Sequence, residues 1–368
     1  MPGPAVIRRH CLLGALTLPF WPGLPHALTR QTLQFPRDLG SHPEHAIEWW
    51  YVTGALQAKQ RQFGFQLTFF RSRVTSTQAM TSRFAAKQLI FAHAAVTDVA
   101  GKRLWHDQRI ARASGAAQLD LAFASETDTH VRLSDWSLKR QDTLYQAQAA
   151  GDGFSFQLAL VETQPLLLQG EQGLSRKGPE TTQASFYYSL PQLKASGQLK
   201  LASETFQVQG QAWLDHEWSQ SLLHPLAVGW DWIGMNLDDG STLTAFQLRT
   251  KSGEPLWAGG SVRAVGQAEA ENLAPHQLSF TPMRRWTSPS TGVTYPVQWQ
   301  IEVTRKNSSS GQPERYTVNA LVDNQELDSR QSTGAIYWEG LSELFDGKHQ
   351  LLGRGYLEMT GYGSPLRL

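Results

Sequence analysis

Short runs in which apolar and polar residues alternate dominate the chain. "FSFQLAL" (154–160) and "FQVQGQAW" (206–213) show period two clearly. In a strand that period sends successive side chains to opposite faces. Similar short segments, rich in aromatic and β-branched residues, predict strands at 47–56, 62–72, 89–99, 185–190, 229–237, 242–250, 295–303 and 315–322. No long stretch carries the 3.6-residue period of an amphipathic helix.

Turn signals separate the runs. Asp152-Gly153, Asp239-Gly240, Ser252-Gly253, Ser290-Thr291-Gly292 and Asp346-Gly347 stand between candidate strands. Residues 163–183 are polar, glycine-rich and unpatterned, which predicts a long loop over a barrel mouth. "NSSSGQPE" (307–314) predicts a second exposed loop. Strand-rich halves meet near residue 220, at "SQSLLHPLAV", without an internal sequence repeat. The reading is an all-β protein of antiparallel barrels or sandwiches in two domains, 28–220 and 221–368.

Composition narrows the partners. The formal net charge is +1 and no basic stripe appears, so nucleic acid is not an expected partner. Nothing approaches 18 consecutive apolar residues, so no transmembrane helix is expected. Residues 1–27 read as an export signal: Arg8 and Arg9 precede the short apolar "CLLGALTLPFWPGLPHA". The paired arginines make a twin-arginine route to a periplasmic or secreted location the expectation alongside the general one. The single cysteine, Cys11, lies in that leader, so disulfides, thiolate catalysis and cysteine-ligated zinc are not expected in the mature chain.

"WLDHEW" (213–218) sets an aspartate, a histidine and a glutamate between two tryptophans. Alternation puts Trp213, Asp215 and Glu217 on one face and Leu214, His216 and Trp218 on the other. The three polar groups of this strand therefore cannot converge on one ion, and no metal or other cofactor is expected. "IEWWYV" repeats the theme: Glu48 and Trp50 share a face opposite Trp49 and Tyr51. "GWDWIG" sets Trp230 and Trp232 against Asp231, and "IYWEG" brings Tyr337, Trp338 and Glu339. Carboxyls so close to indoles are structural groups hydrogen-bonded near strand ends, or members of an apolar pocket. In a pocket, desolvation would keep them protonated toward neutral pH. His93 and Asp98 in "AHAAVTD" fall on opposite faces and read as structural. No G-x-S-x-G elbow, P-loop or dinucleotide fingerprint occurs.

"HPEHAIEWWYVTGAL", "FGFQLTFFRSR", "FAHAAVTDV", "WLDHEWSQS", "GWDWIGMNLDDGSTLTAFQLR", "RRWTSPSTGVTYPVQWQIEV" and "GAIYWEG…GRGYLEMTGYG" together resemble the AttH-like and carotenoid 1,2-hydratase (hydroxyneurosporene synthase) family over about residues 33–363. The resemblance implies two lipocalin-like barrels. It also implies either hydration or cyclisation of polyene or terpenoid-like substrates, or an exported accessory role beside an ABC-transporter permease.

The residues and the resemblance together give an exported protein whose aromatic pocket, in or beside the first barrel, binds an apolar small molecule. As an enzyme it would protonate an alkene. Glu48, Asp215, Glu217 or Asp231 would be the acid, Trp50, Trp218, Trp230 or Trp232 would stabilise the cation, and His216 would orient water. Trp49, Tyr51, Tyr337 and Trp338 complete the candidate ligand wall. A non-catalytic carrier and a carbohydrate-binding module are the other readings of the same residues.

Overall fold

The computed structural model describes residues 30–115, 120–221, 223–306 and 311–365. The export signal expected at 1–27 and part of the loop expected at 307–314 lie outside them. The first half carries β1 (Ile47–Ala58), β2 (Arg61–Arg73), β3 (Gln88–Asp98), β4 (Arg103–Ala113), β5 (Ala122–Ala124), β6 (His130–Leu133) and β7 (Trp136–Gln141). It continues through β8 (Leu144–Gly151), β9 (Phe154–Val161), β10 (Leu167–Leu168), β11 (Leu174–Arg176), β12 (Ala184–Leu201) and β13 (Glu204–Ser219). The second half carries β14 (Gly229–Leu237), β15 (Thr242–Arg249), β16 (Pro255–Arg263), β17 (Glu271–Leu273), β18 (Leu278–Pro282) and β19 (Arg285–Thr287). Then follow β20 (Thr294–Pro296), β21 (Gln298–Val303), β22 (Glu314–Ala320), β23 (Glu326–Ser329), β24 (Ala335–Phe345) and β25 (Leu351–Met359).

The first sheet runs β4-β3-β2-β1-β13-β12-β9-β8-β7-β6-β5, with β10 and β11 also paired to β12. Its end strands approach each other, with β4 against β5 and β6, so the sheet curls into a nearly closed barrel. The second runs β17-β16-β15-β14-β25-β24-β22-β21-β18, and β16 lies near β18. The chain is thus two tandem antiparallel barrel-like domains. Four of the five turn glycines do what their dipeptides imply: Gly153, Gly240, Gly253 and Gly292 hold positive φ, which a side chain would strain, whereas Gly347 does not.

Three expectations are corrected. The segment 185–190 does not end at Pro191: β12 continues to Leu201 through a bulge between Leu190 and Leu193, the position where a strand tolerates proline. Residues 163–183 are mostly loop, as expected, but not wholly unpatterned. They include β10 and β11 and tie the barrels together, with Trp257 Nε1 donating to Arg176 O at 3.0 Å and Arg263 to Pro165 O at 2.7 Å. The interior of the first barrel is not a ligand chamber. Trp50, Phe63, Phe65, Phe69, Trp136, Tyr145, Phe156 and Tyr188 fill it, each almost completely buried, and such bulk leaves no room for a guest.

The barrels pack side against side. The outer faces of β1, β13 and β2 meet those of β14, β24 and β25, and bury Tyr51, Trp213, Trp232, Phe246, Leu341 and Tyr356 between them. Gly64 sits at the closest approach: a Cβ there would lie 2.5 Å from the Tyr356 hydroxyl and 2.9 Å from Leu341 Cβ. Gly64→Leu is therefore expected to destabilise the chain by about 1–3 kcal/mol, the usual cost of overpacking. A denaturant midpoint equal to that of the wild type would show that the two barrels do not press together there.

Candidate functional site: a cleft between the two barrels

Strand β13 lies between β1 and β12, and its register fixes two separate clusters. Trp50 pairs with His216, Tyr51 with Asp215 and Trp49 with Glu217; from the other side Tyr187 pairs with Glu217 and Ser189 with Asp215. Residues of even number on β1 and β13 therefore enter the first barrel, and those of odd number face the second. Both faces are buried, so no member of "WLDHEW" is exposed.

The inward cluster centres on Glu48, which is fully buried. Its carboxylate accepts Arg71 Nε at 2.6 Å, Ser41 Oγ at 2.8 Å and the His42 backbone N–H at 3.0 Å. His42 Nδ1 lies 2.8 Å and His216 Nε2 3.0 Å from Glu48 Oε1. The outward ring nitrogens are held as well, His42 Nε2 by Asp38 at 3.2 Å and His216 Nδ1 by the Tyr188 hydroxyl at 3.0 Å. His42 stacks on Trp218 and His216 on Trp50. Burial alone would raise the Glu48 carboxyl, but the bonds from His216 and His42 and the Arg71 charge hold it well below the usual range. Burial drives His216 down to about 4, so it is neutral. His42 is raised, because its two carboxylate partners outweigh burial.

Asp215 and Glu217 stay apart from His216, as alternation requires, but His216 meets groups from other segments. His42, Glu48 and His216 come from three segments, and their ligand atoms lie within 4.8 Å of one another, so among the described residues they could hold a metal ion. Each of those atoms is already engaged, however, and the Arg71 guanidinium supplies the positive charge that an ion would bring. The cluster reads as a closed, charge-balanced tie that fastens residues 37–45 across the end of the barrel.

The outward cluster is open. Trp49, Tyr51, Tyr187, Asp215, Glu217, Trp230, Trp232, Phe246 and Glu358 line a cavity of about 80 Å³ between the barrels. A neighbouring lobe of about 180 Å³ shares Trp49, Phe70, Trp230 and Glu358 with it and extends past Phe91, His93 and Tyr337. Asp215 accepts three bonds, from Ser189 Oγ at 2.5 Å, Trp213 Nε1 at 2.7 Å and the Tyr187 hydroxyl at 2.8 Å. Burial nevertheless pushes it up to about 7. Glu358 accepts Trp230 Nε1 at 3.0 Å, and burial, against that single donor, also pushes it up to about 7. Glu217 is paired with Lys177 at 3.0 Å and accepts from Ser185. The Lys177 ammonium also stands 4.3 Å from the Phe246 ring centre.

The candidates therefore separate. Trp49, Tyr51, Asp215, Glu217, Trp230, Trp232 and Tyr337 line the cleft. Trp50, His216 and Trp218 do not; they belong to the closed cluster inside the first barrel, and Glu48, whose carboxylate centres that cluster, also borders the neighbouring lobe together with Arg71. Asp231 and Trp338 point into the second barrel. Asp231 is tied to Arg249 Nε at 2.7 Å, Gln247 at 2.8 Å and the Tyr362 hydroxyl at 2.9 Å, and the Trp338 indole donates to Asp323 O at 2.7 Å. These bonds satisfy both residues, so neither has a group free for a ligand. Sequence reasoning missed Lys177, Tyr187, Phe246 and Glu358 in the cleft, and Asp38, His42 and Arg71 at the closed cluster. Of these, Glu358 carried a signal, since "GYLEM" alternates as a strand and sets Glu358 with Tyr356.

A family model described as AttH-like matches residues 26–362. A search of the curated proteins returns no match. Among solved structures, one assigned as an AttH from Nitrosomonas europaea is similar to this chain at 42% identity, over 92% of this chain and 100% of its own, with a TM-score of 0.82. Kievitone hydratase from Nectria haematococca is similar at 14% identity, over 90% of this chain and 94% of its own, with a TM-score of 0.66, a likeness of fold.

Proposed function

The chain belongs to the AttH-like family, and from that premise we propose that the cleft between its barrels binds a small, neutral, unsaturated molecule and adds water across its double bond. One observation carries this reading: Asp215 and Glu358, two carboxyls without a salt-bridge partner among the described residues, face one lobe walled by Trp49, Trp230 and Trp232. Acids in such a place keep protons that they would lose in water. The fold shared with a hydratase agrees with it.

The two carboxyls divide the work. Glu358 has one donor on it and carries a proton to the alkene carbon. Indole faces attract the cation that forms, by roughly 2 kcal/mol or more in a desolvated site. Asp215, which has three donors to steady its ionised form, takes the proton of the attacking water from the fraction of molecules in which it is ionised near neutral pH. The proton then returns from Asp215 to Glu358, and the site is restored. The lobes are smaller than the roughly 300–1,000 Å³ of pockets for drug-sized ligands. They fit a small terpenoid or the unsaturated end of a longer molecule.

The test incubates the protein with a panel of neutral polyenes, terpenoids and prenylated phenols in heavy-oxygen water. The expected product has gained one water carrying the label. Asp215→Asn should lose about 10²–10⁴-fold in rate while still quenching tryptophan emission when the substrate binds. Binding without turnover across the panel would instead support a carrier that hands an apolar cargo to an ABC-transporter permease, and would overturn the hydratase reading.

A further inference from the structure

On the cleft side of the second barrel, Glu339 of β24 stands directly opposite Glu358 of β25 in the strand pairing. Directly opposed side chains in an antiparallel pair have Cβ atoms about 4.5–5.5 Å apart, and like charges there are destabilising. Glu339 is buried, and its Oε1 has no hydrogen-bond partner. Among the described residues, the Trp230 indole is the one donor to the Glu358 carboxyl. Among the described residues no salt bridge reaches the pair: Lys177 is committed to Glu217 and Arg354 to Glu343.

Two carboxyls this close in a dry interface cannot both ionise. We propose that Glu339 and Glu358 share one proton, and that Glu339 is thereby the positioning residue that keeps Glu358 supplied with a proton to donate. Burial and neighbouring negative charge raise the pair, against the opposing pull of the Tyr51 and Trp230 donors. Tyr51, Tyr337 and Tyr356 are neutral phenols raised by burial, and Asp215 and Glu217 across the cleft add negative potential, partly offset by Lys177. Burial and the Glu358 charge hold Glu339 itself well above the usual carboxyl range. An acid that touches substrate at the throat of both lobes, backed by a second carboxyl away from the substrate, is a proton reservoir of two sites and one proton.

The catalytic half of this inference rests on the hydratase reading; the shared proton does not, and it can be measured without a substrate. Infrared titration follows the protonated-carboxyl band in the Asp215→Asn background, which removes the other acid that titrates near neutrality. The band should persist at neutral pH. Glu339→Gln should lower the pH at which Glu358 loses its proton by about one unit or more, and Glu358→Gln should do the same for Glu339. The second variant reports the coupling if the first fails to fold. Absence of the band at neutral pH, an unmoved midpoint in both variants, or a stoichiometric divalent ion whose chelation restores the band would each overturn the shared proton. With a substrate in hand, Glu339→Gln should move the alkaline limb of the pH–rate profile down by the same amount. A shifted band with an unmoved limb would overturn the positioning role alone. Failure of every substrate would overturn the hydratase reading and leave the infrared result standing.

Discussion

Glu358→Gln is expected to abolish turnover while making the folded protein more stable above neutral pH. Both effects come from one cause. Burial holds the Glu358 carboxyl near 7, far above the ordinary value of 4.5. Between those two values the folded chain binds a proton that the unfolded chain has released, so stability falls as pH rises through that window. The full shift corresponds to about 3 kcal/mol, an upper bound because the side chain is partly exposed to the cleft. Glutamine keeps the shape and accepts the Trp230 N–H, but it never has to ionise. The variant should therefore melt above the wild type at about pH 8 and near it at about pH 5. Its rate should drop by about 10²–10⁴-fold, since the group that protonates the alkene is gone. Thermal melts at the two pH values decide the matter together with one rate. A melting difference that does not change with pH would show Glu358 to be an ordinary carboxyl, and would remove it from the proton-donor role.

Much of this arrangement was legible in the sequence, and the part that was not has a physical reason. Alternation in "WLDHEW" separates Asp215 and Glu217 from His216 and Trp218, and the register of β1 and β13 keeps that division. Alternation does not say which face is open. Here both faces are buried, one by the barrel's own filling and the other by a second barrel, so neither exposure nor hydrophobicity distinguishes them. The packed interior drew His216 and Trp218 into the candidate list because a histidine against an indole looks the same in a closed network as in a pocket. Glu48 and His216 meet across 168 residues of chain, and His42 reaches them from a segment that is neither strand nor helix. No local period encodes such a meeting. Lys177 hid in a stretch whose polarity reads as loop, because its strands are only two and three residues long. The fold class was legible, since nearly every alternating run became a strand. The strands left unrecognised include β4, whose polar positions suit an edge, and β25, where Gly353 and Gly355 let neighbouring backbone come close.

Glu48→Ala is expected to cost about 3–5 kcal/mol of stability, the usual result of breaking a buried charge pair from one side. The loss leaves Arg71, which is 2% exposed, with its guanidinium unpaired in the protein interior, and it strips His42 and His216 of a shared acceptor. His216→Ala removes a neutral ring and one bond to Glu48. It should therefore cost less than Glu48→Ala, although it leaves a cavity against Trp50. Neither residue touches the cleft lobe lined by Asp215 and Trp232, so the folded fraction of each variant should still bind a neutral fluorescent apolar probe with wild-type affinity. Denaturant midpoints and probe titrations on the same samples separate fold from site. If Glu48→Ala keeps its midpoint and loses probe binding or turnover, the buried Glu48–His42–His216 cluster, and not the cleft between the barrels, is where this protein works.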